Sequence, residues 1–246
     1  MINKVLKLIK LLFALSSFIC VFYVILELTY FLSFPKPILQ AKEDLWLTLS
    51  RALLTDMVLL SLFVLQHSAM ASESCKSLLY NLRLSDISRS IYITATAAVL
   101  LVAIKYWTFA PYVLWNINLS YKPILYLYIG FHSTAWTVIY VANVCTDVTE
   151  LLGLKQVYYS VMNLPNPNFR KSLRLQKLNA HMRHPSFLGF LLVFWFVPVM
   201  SLDRLLLAVI LTGYMYIAWN TDGEDYNYQK YMFQRKHHEL ERLNAQ

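Results

Sequence analysis

The chain has 246 residues, 58% of them hydrophobic and 15% charged, with a mean hydropathy of +0.46. A water-soluble domain cannot bury that much apolar surface, which excludes an ordinary soluble fold and makes the bilayer the solvent. The net charge of +8 comes without a basic run interleaved with aromatics, so it argues against nucleic-acid binding and suits anionic lipid headgroups.

The first uncharged run, Leu11–Leu26, follows Lys4, Lys7 and Lys10, a start that resembles a signal peptide. Apolar residues continue to Phe34 without a small-x-small cleavage site, so a retained span is expected. Pro35-Lys36-Pro37 then breaks the helix. Uncharged runs follow at Met57–Ser72, Ser90–Ile104, Pro123–Thr146, Pro185–Leu202 and Leu205–Thr221. A hydrocarbon core takes about 20 helical residues, and flanking Trp and Tyr extend the shorter runs to that length. The expected architecture is one all-α membrane domain over 1–246, with spans at 9–31, 53–72, 90–109, 123–146, 185–201 and 204–220. The last two spans form a hairpin joined by Met200–Asp203. Trp107, Tyr112, Trp115 and Tyr121 read as an interfacial aromatic belt. The connection 147–184 is the longest polar piece, with a turn-rich stretch from Leu164 to Asn168. Leu173, Leu175, Leu178 and Met182 alternate with bases, as in a helix lying on a surface.

Six spans put both termini on one side. Most of the 22 Lys and Arg fall on that side, in the N-terminus, the second and fourth connections and the tail 221–246. Lys36, Lys42, Arg51, Lys105, Lys122 and Arg204 fall on the other. The positive-inside rule then places both termini on the cytoplasmic or nucleoplasmic face. Cys20, Cys75 and Cys145 form no CxxC pair and suggest packing rather than disulfides.

Several polar residues interrupt the apolar runs. In the fourth span His132, Trp136, Tyr140, Asn143 and Asp147 fall within an arc of roughly 80°. They make either a cofactor face or a seam of interhelical hydrogen bonds. Asp56 and His67 share a face of the second span but stand about 16 Å apart along it. His67 and His132 are weak candidates for a haem or metal site, because neither has a second ligand at i+3 or i+4.

The strongest chemical signal is Arg183-His184-Pro185-Ser186-Phe187-Leu188-Gly189, where a basic loop turns into an apolar run. Pro185 suits a first helical turn, and Gly189 leaves room for a close approach to the backbone. The C-terminal hairpin brings this junction to the same face as Asp222-Gly223-Glu224-Asp225, Tyr226, Tyr228 and Tyr231. Two readings stand: an ion-pair network, or a site for a sulfonium amino acid. In the second, carboxylate meets Arg, ammonium meets Glu or Asp, and adenine meets the rings.

The junction resembles the Arg-His-Pro-x-Tyr-x-Gly turn of the isoprenylcysteine carboxyl methyltransferase superfamily, with Phe187 in place of Tyr and Glu224-Asp225 in place of paired glutamates. More of the chain resembles the nurim family within that superfamily. The matching blocks are Leu62–Ala71, Glu150–Tyr159, His181–Pro185 and Asp203–Ala208. The first block also resembles bacterial NnrU-like proteins, which fits the haem reading. The nurim resemblance implies a six-span protein retained in the inner nuclear membrane, with the bilayer and nuclear-envelope proteins as partners and no defined catalytic activity. The superfamily resemblance implies S-adenosylmethionine held by Arg183, His184, Glu224 and Tyr228, with a lipid or prenylated cysteine as methyl acceptor. Fold likeness alone does not fix activity.

Overall fold

A computed structural model describes residues 2–34, 45–145, 147–165 and 186–218, together with 234 and 241–242. In chain order the elements are α1 (Ile2–Ser33), α2 (Leu45–Ala71), α3 (Glu73–Asn81), α4 (Ser88–Tyr106), β1 (Val113–Asn116), α5 (Lys122–Cys145), α6 (Val148–Leu151), α7 (Leu154–Val161), α8 (Phe187–Trp195), β2 (Val199–Ser201) and α9 (Leu202–Ala218). The break expected at Pro35-Lys36-Pro37 and the surface helix through Leu173 and Met182 lie outside the described residues.

Among the described residues, four helices are long and apolar enough to cross a membrane: Lys4–Ser33, Leu45–Ala71, Ser88–Tyr106 and Lys122–Val144. Outward-facing side chains such as Leu12, Phe22, Val58, Tyr126 and Val141 are exposed along them. Such a continuous apolar exterior suits lipid, not water. The chain is therefore a mostly helical, multi-pass membrane protein.

The fifth uncharged run does not form one helix over 185–201. Among the described residues α8 covers only Phe187–Trp195, whose nine residues rise about 14 Å. Pro198 explains the stop: it lacks a donor and pushes Val197 away from helical angles. Val199–Ser201 then pairs antiparallel with β1, Val113 opposite Ser201 and Asn116 opposite Val199. This small sheet is an addition to the all-α expectation. It forms where β-branched and aromatic residues leave the helices. The sixth uncharged run begins within α9, which starts directly at Leu202.

The helices pack in a connected set: α1 on α4, α2 on α4 and α9, α5 on α8, and α8 on α9. One core, nearer the strands, gathers Leu32, Leu60, Trp107, Trp136, Ile139, Phe194 and Leu207. A second, towards the opposite end, gathers Val21, Val24, Ile93, Ala97 and Leu152.

At the end opposite the strands, α6 and α7 are fastened to the bundle. Val157 of α7 is fully buried, and α7 packs on α1. Lys7 donates to the Val161 carbonyl at 2.9 Å and to Asn163 at 2.8 Å, while Lys10 pairs with Asp86 at 2.7 Å. Part of the basic N-terminal charge thus serves the protein itself. Gly153 opens α7 with φ +85°, and a Cβ there would stand 2.8 Å from the Ser90 backbone nitrogen, so only glycine fits without strain.

Candidate functional site

Arg183, His184, Glu224 and Tyr228 lie outside the described residues. Ser186, the first described residue of that junction, is buried and accepts from Asn143 Nδ2 at 3.1 Å. The close approach signalled by Gly189 is that of α5. A Cβ on Gly189 would stand 2.5 Å from Ile139 Cγ1 and 2.9 Å from the Ala135 carbonyl oxygen.

The polar arc of the fourth span is an interhelical seam. Trp136 Nε1 donates to Ser33 Oγ at 2.9 Å, and Tyr140 shares a 2.7 Å hydrogen bond with Thr29. Asn143 reaches Ser186, and Tyr128, one turn before His132, donates to the Ser33 carbonyl at 2.9 Å. His132 is buried against the Tyr128 ring, 5.0 Å between centroids. Asp147 leaves the seam and caps α6, accepting from the Thr149 and Glu150 amides. Outside the spans, its carboxyl is held down at about 2, chiefly by Lys155 at 2.6 Å and by Thr149. The same contact raises the Lys155 ammonium above its ordinary value.

A buried polar hub stands where the strands meet the helices, and sequence reasoning missed it. Asp203, wholly buried at the start of α9, accepts from Trp107 Nε1 at 2.9 Å and from the Ala110 amide at 3.0 Å. Asp56 of α2, also wholly buried, accepts from the Thr108 amide at 2.9 Å through one oxygen. Its other oxygen has no hydrogen-bond partner among the described residues. Arg204 was counted among charges on the far face, but it is buried and donates to the Phe31 and Leu32 carbonyls at 3.0 and 3.1 Å. Those carbonyls end α1, where helix geometry leaves acceptors unpaired and the dipole favours a cation. The hub joins α1, α2, α9 and the chain between α4 and β1. The adjacent acid and base, Asp203-Arg204, at the head of an apolar run were the available signal, since buried charges demand partners.

His67 lies at the other end of an apolar cavity of about 240 Å³ lined by α1, α2, α4, α8 and α9. The Tyr92 hydroxyl sits 2.8 Å from its Nε2 and 3.0 Å from its Nδ1, and its ring packs on Tyr214 at 6.1 Å. The Tyr214 hydroxyl shares a 3.1 Å hydrogen bond with Ser68, and Arg89 lies over the Tyr92 ring at 5.3 Å.

The two histidines are not brought together. His132 lies within electrostatic reach of Arg204, whereas His67 touches Tyr214, ten residues and about 15 Å further along α9. A shared ligand needs nitrogens about 2 Å from one metal. Among the described residues, no three His, Cys, Asp or Glu side chains are grouped to hold a metal ion.

Comparison with known proteins gives a consistent picture. A protein of Drosophila melanogaster named "Nurim homolog" is 37% identical over 251 residues, covering 97% of this chain and 98% of its own length. The "Nurim homolog" of Drosophila pseudoobscura pseudoobscura is 36% identical over 247 residues, covering 95% and 97%. The mouse protein named "Nurim" is 39% identical over 194 residues, 76% of this chain and 72% of its own length. No protein-family model matches the chain. No solved structure is significantly similar to it.

Proposed function

Since the chain belongs to the nurim family, we propose that it is a six-span integral protein of the inner nuclear membrane that acts in envelope organisation without catalysing a reaction. The observation that carries this reading is likeness to nurim homologues over nearly the whole chain. Both termini and the 147–184 connection face the nucleoplasm, and β1 and β2 face the perinuclear lumen. The basic residues of the N-terminus and of 147–184 support that orientation. The non-catalytic part of the reading draws on the use of the polar side chains: the buried Asp203, Arg204 and Trp136, and the more exposed Tyr140, each hold one helix or connection to another.

The test is the distribution and mobility of a fluorescently tagged chain. A rim at the nuclear envelope that recovers slowly after photobleaching is expected. A reticular signal with fast recovery would overturn the reading. A second reading, an S-adenosylmethionine-dependent methyltransferase acting on a lipid or prenylated cysteine, is favoured by Arg183-His184-Pro185 and its spacing to Gly189. Calorimetry on purified protein separates the two: saturable cofactor binding lost in Arg183→Ala supports the enzyme, and no binding at millimolar cofactor removes it.

A further inference from the structure

We infer that the apolar cavity is a binding site for one hydrocarbon chain of a membrane lipid, with the lipid's oxygen-bearing end at the His67–Tyr214 rim. This goes beyond residence in the nuclear envelope and requires only that the protein sit in a bilayer.

The shape carries the first part. The cavity wall runs from Leu207 to Met215 on α9 and from Leu60 to His67 on α2. Seven to eight helical residues make it about 10–12 Å long, parallel to the helices. Spread over that length, 240 Å³ gives a cross-section of about 20 Å². A space drawn out along the helices in this way suits one extended chain better than a compact fused ring system. The volume also exceeds the roughly 150 Å³ of an apolar cavity known to take up benzene.

The lining carries the second part. Along its length the wall is aliphatic and aromatic, and the Trp107 indole N–H on it is already given to Asp203. Hydrogen-bonding side chains gather at one end only, where His67 and Tyr214 meet edge to face. Tyr92 and Ser68 bond to them and fix both rings. A space apolar along its length and polar at one end matches an amphiphile, with chain in the slot and head at the rim. A phospholipid acyl chain and a free fatty acid share this chemistry.

Photo-crosslinking of the full-length protein in nanodiscs tests the site and its source. The probes are phosphatidylcholine with a diazirine in one acyl chain, diazirine palmitate and diazirine cholesterol, each in a separate arm. Crosslinks to the wall at Leu60, Ala103 and Leu211 are expected from one of the two chain probes, and that arm names the source. Ala103→Leu and Leu211→Trp fill the slot and cut wall labelling about tenfold. Labelling of lipid-facing Val58 should stay unchanged. His67→Leu removes a rim contact and lowers wall labelling about fivefold. Unlabelled lipid competing in the wild-type protein gives the same readout without a variant that must fold. Labelling confined to outward positions such as Val58, wall labelling indifferent to both filling variants, or preference for the sterol probe would each overturn the proposal.

Discussion

Replacing Asp203 by alanine removes the acceptor for two buried donors, the Trp107 indole N–H and the Ala110 amide. The residue is wholly buried, so water cannot take over either bond. Each donor left unpaired costs about 1–3 kcal/mol, which makes the loss about 2–6 kcal/mol. For a chain of this size, thermal midpoints move about 2–4 °C per kcal/mol, so Asp203→Ala should melt on the order of 10 °C below wild type. Asp203→Asn keeps one acceptor but turns an amide N–H₂ towards the other donor, and should fall about half as far. The assay is thermal unfolding in one detergent, followed by tryptophan fluorescence and by loss of the monodisperse chromatographic peak. A midpoint for Asp203→Ala within 2 °C of wild type would refute the reasoning. The hub would then contribute nothing to holding α9 against the 107–110 segment.

The second hub carboxylate should behave in the opposite way. Asp56 uses one oxygen for Thr108 while the other has no hydrogen-bond partner among the described residues, so Asp56→Asn keeps the bond, removes a buried acid facing Asp203, and should melt at or above the wild-type midpoint. Gly189→Ala drives a methyl group against Ile139 and the Ala135 carbonyl; a loss of about 1–3 kcal/mol is expected, partly restored by Ile139→Ala in the same unfolding assay. Asp147 titrates at about 2 when folded, below the ordinary carboxylate value of about 3.9 that it takes up on unfolding. The unfolded segment therefore binds the proton first, so this stability is full above pH 4 and disappears as pH falls towards 2. Limited proteolysis with pepsin between pH 4 and 2 should show acid-dependent opening of α6 and α7 in wild type. That dependence should be weakened in Asp147→Asn, and an identical pH profile in the two proteins would count against the capping role.

Much of the fold was legible because apolar runs are long and local. Residues 9–31, 53–72, 90–109 and 123–146 each fall largely in a helix of spanning length, Lys4–Ser33, Leu45–Ala71, Ser88–Tyr106 and Lys122–Val144, the first two starting well before the uncharged runs. The arc through His132, Trp136, Tyr140 and Asn143 was legible too, since helical phase alone put those groups on one face, and the face is a seam. Phase could not say what lay opposite, which is why a cofactor face stood beside it. The run 185–201 failed at Pro198: hydropathy counts it as apolar, while its geometry ends a helix and frees Val199–Ser201 for a strand. Asp203 and Arg204 read as loop charges because their partners, Trp107, Ala110, Phe31 and Leu32, stand roughly 100 to 170 residues away in sequence. The cavity left no sequence mark at all. A periodic apolar stripe looks the same whether its neighbours fill the space beside it or leave a slot.

The central claim, an inner nuclear membrane protein of the nurim family with both termini in the nucleoplasm, is met most directly by selective permeabilisation of cells carrying a tag at either terminus. Digitonin opens the plasma membrane but leaves the nuclear envelope closed to antibodies; a stronger detergent opens both. The account predicts that both tags stain at the nuclear rim only after the stronger detergent. Staining of either tag after digitonin alone would contradict it, placing that terminus in the cytoplasm. A glycosylation-acceptor tag that becomes glycosylated at either terminus would also contradict it, because only the lumen adds the glycan, and one luminal terminus would break the even count of spans.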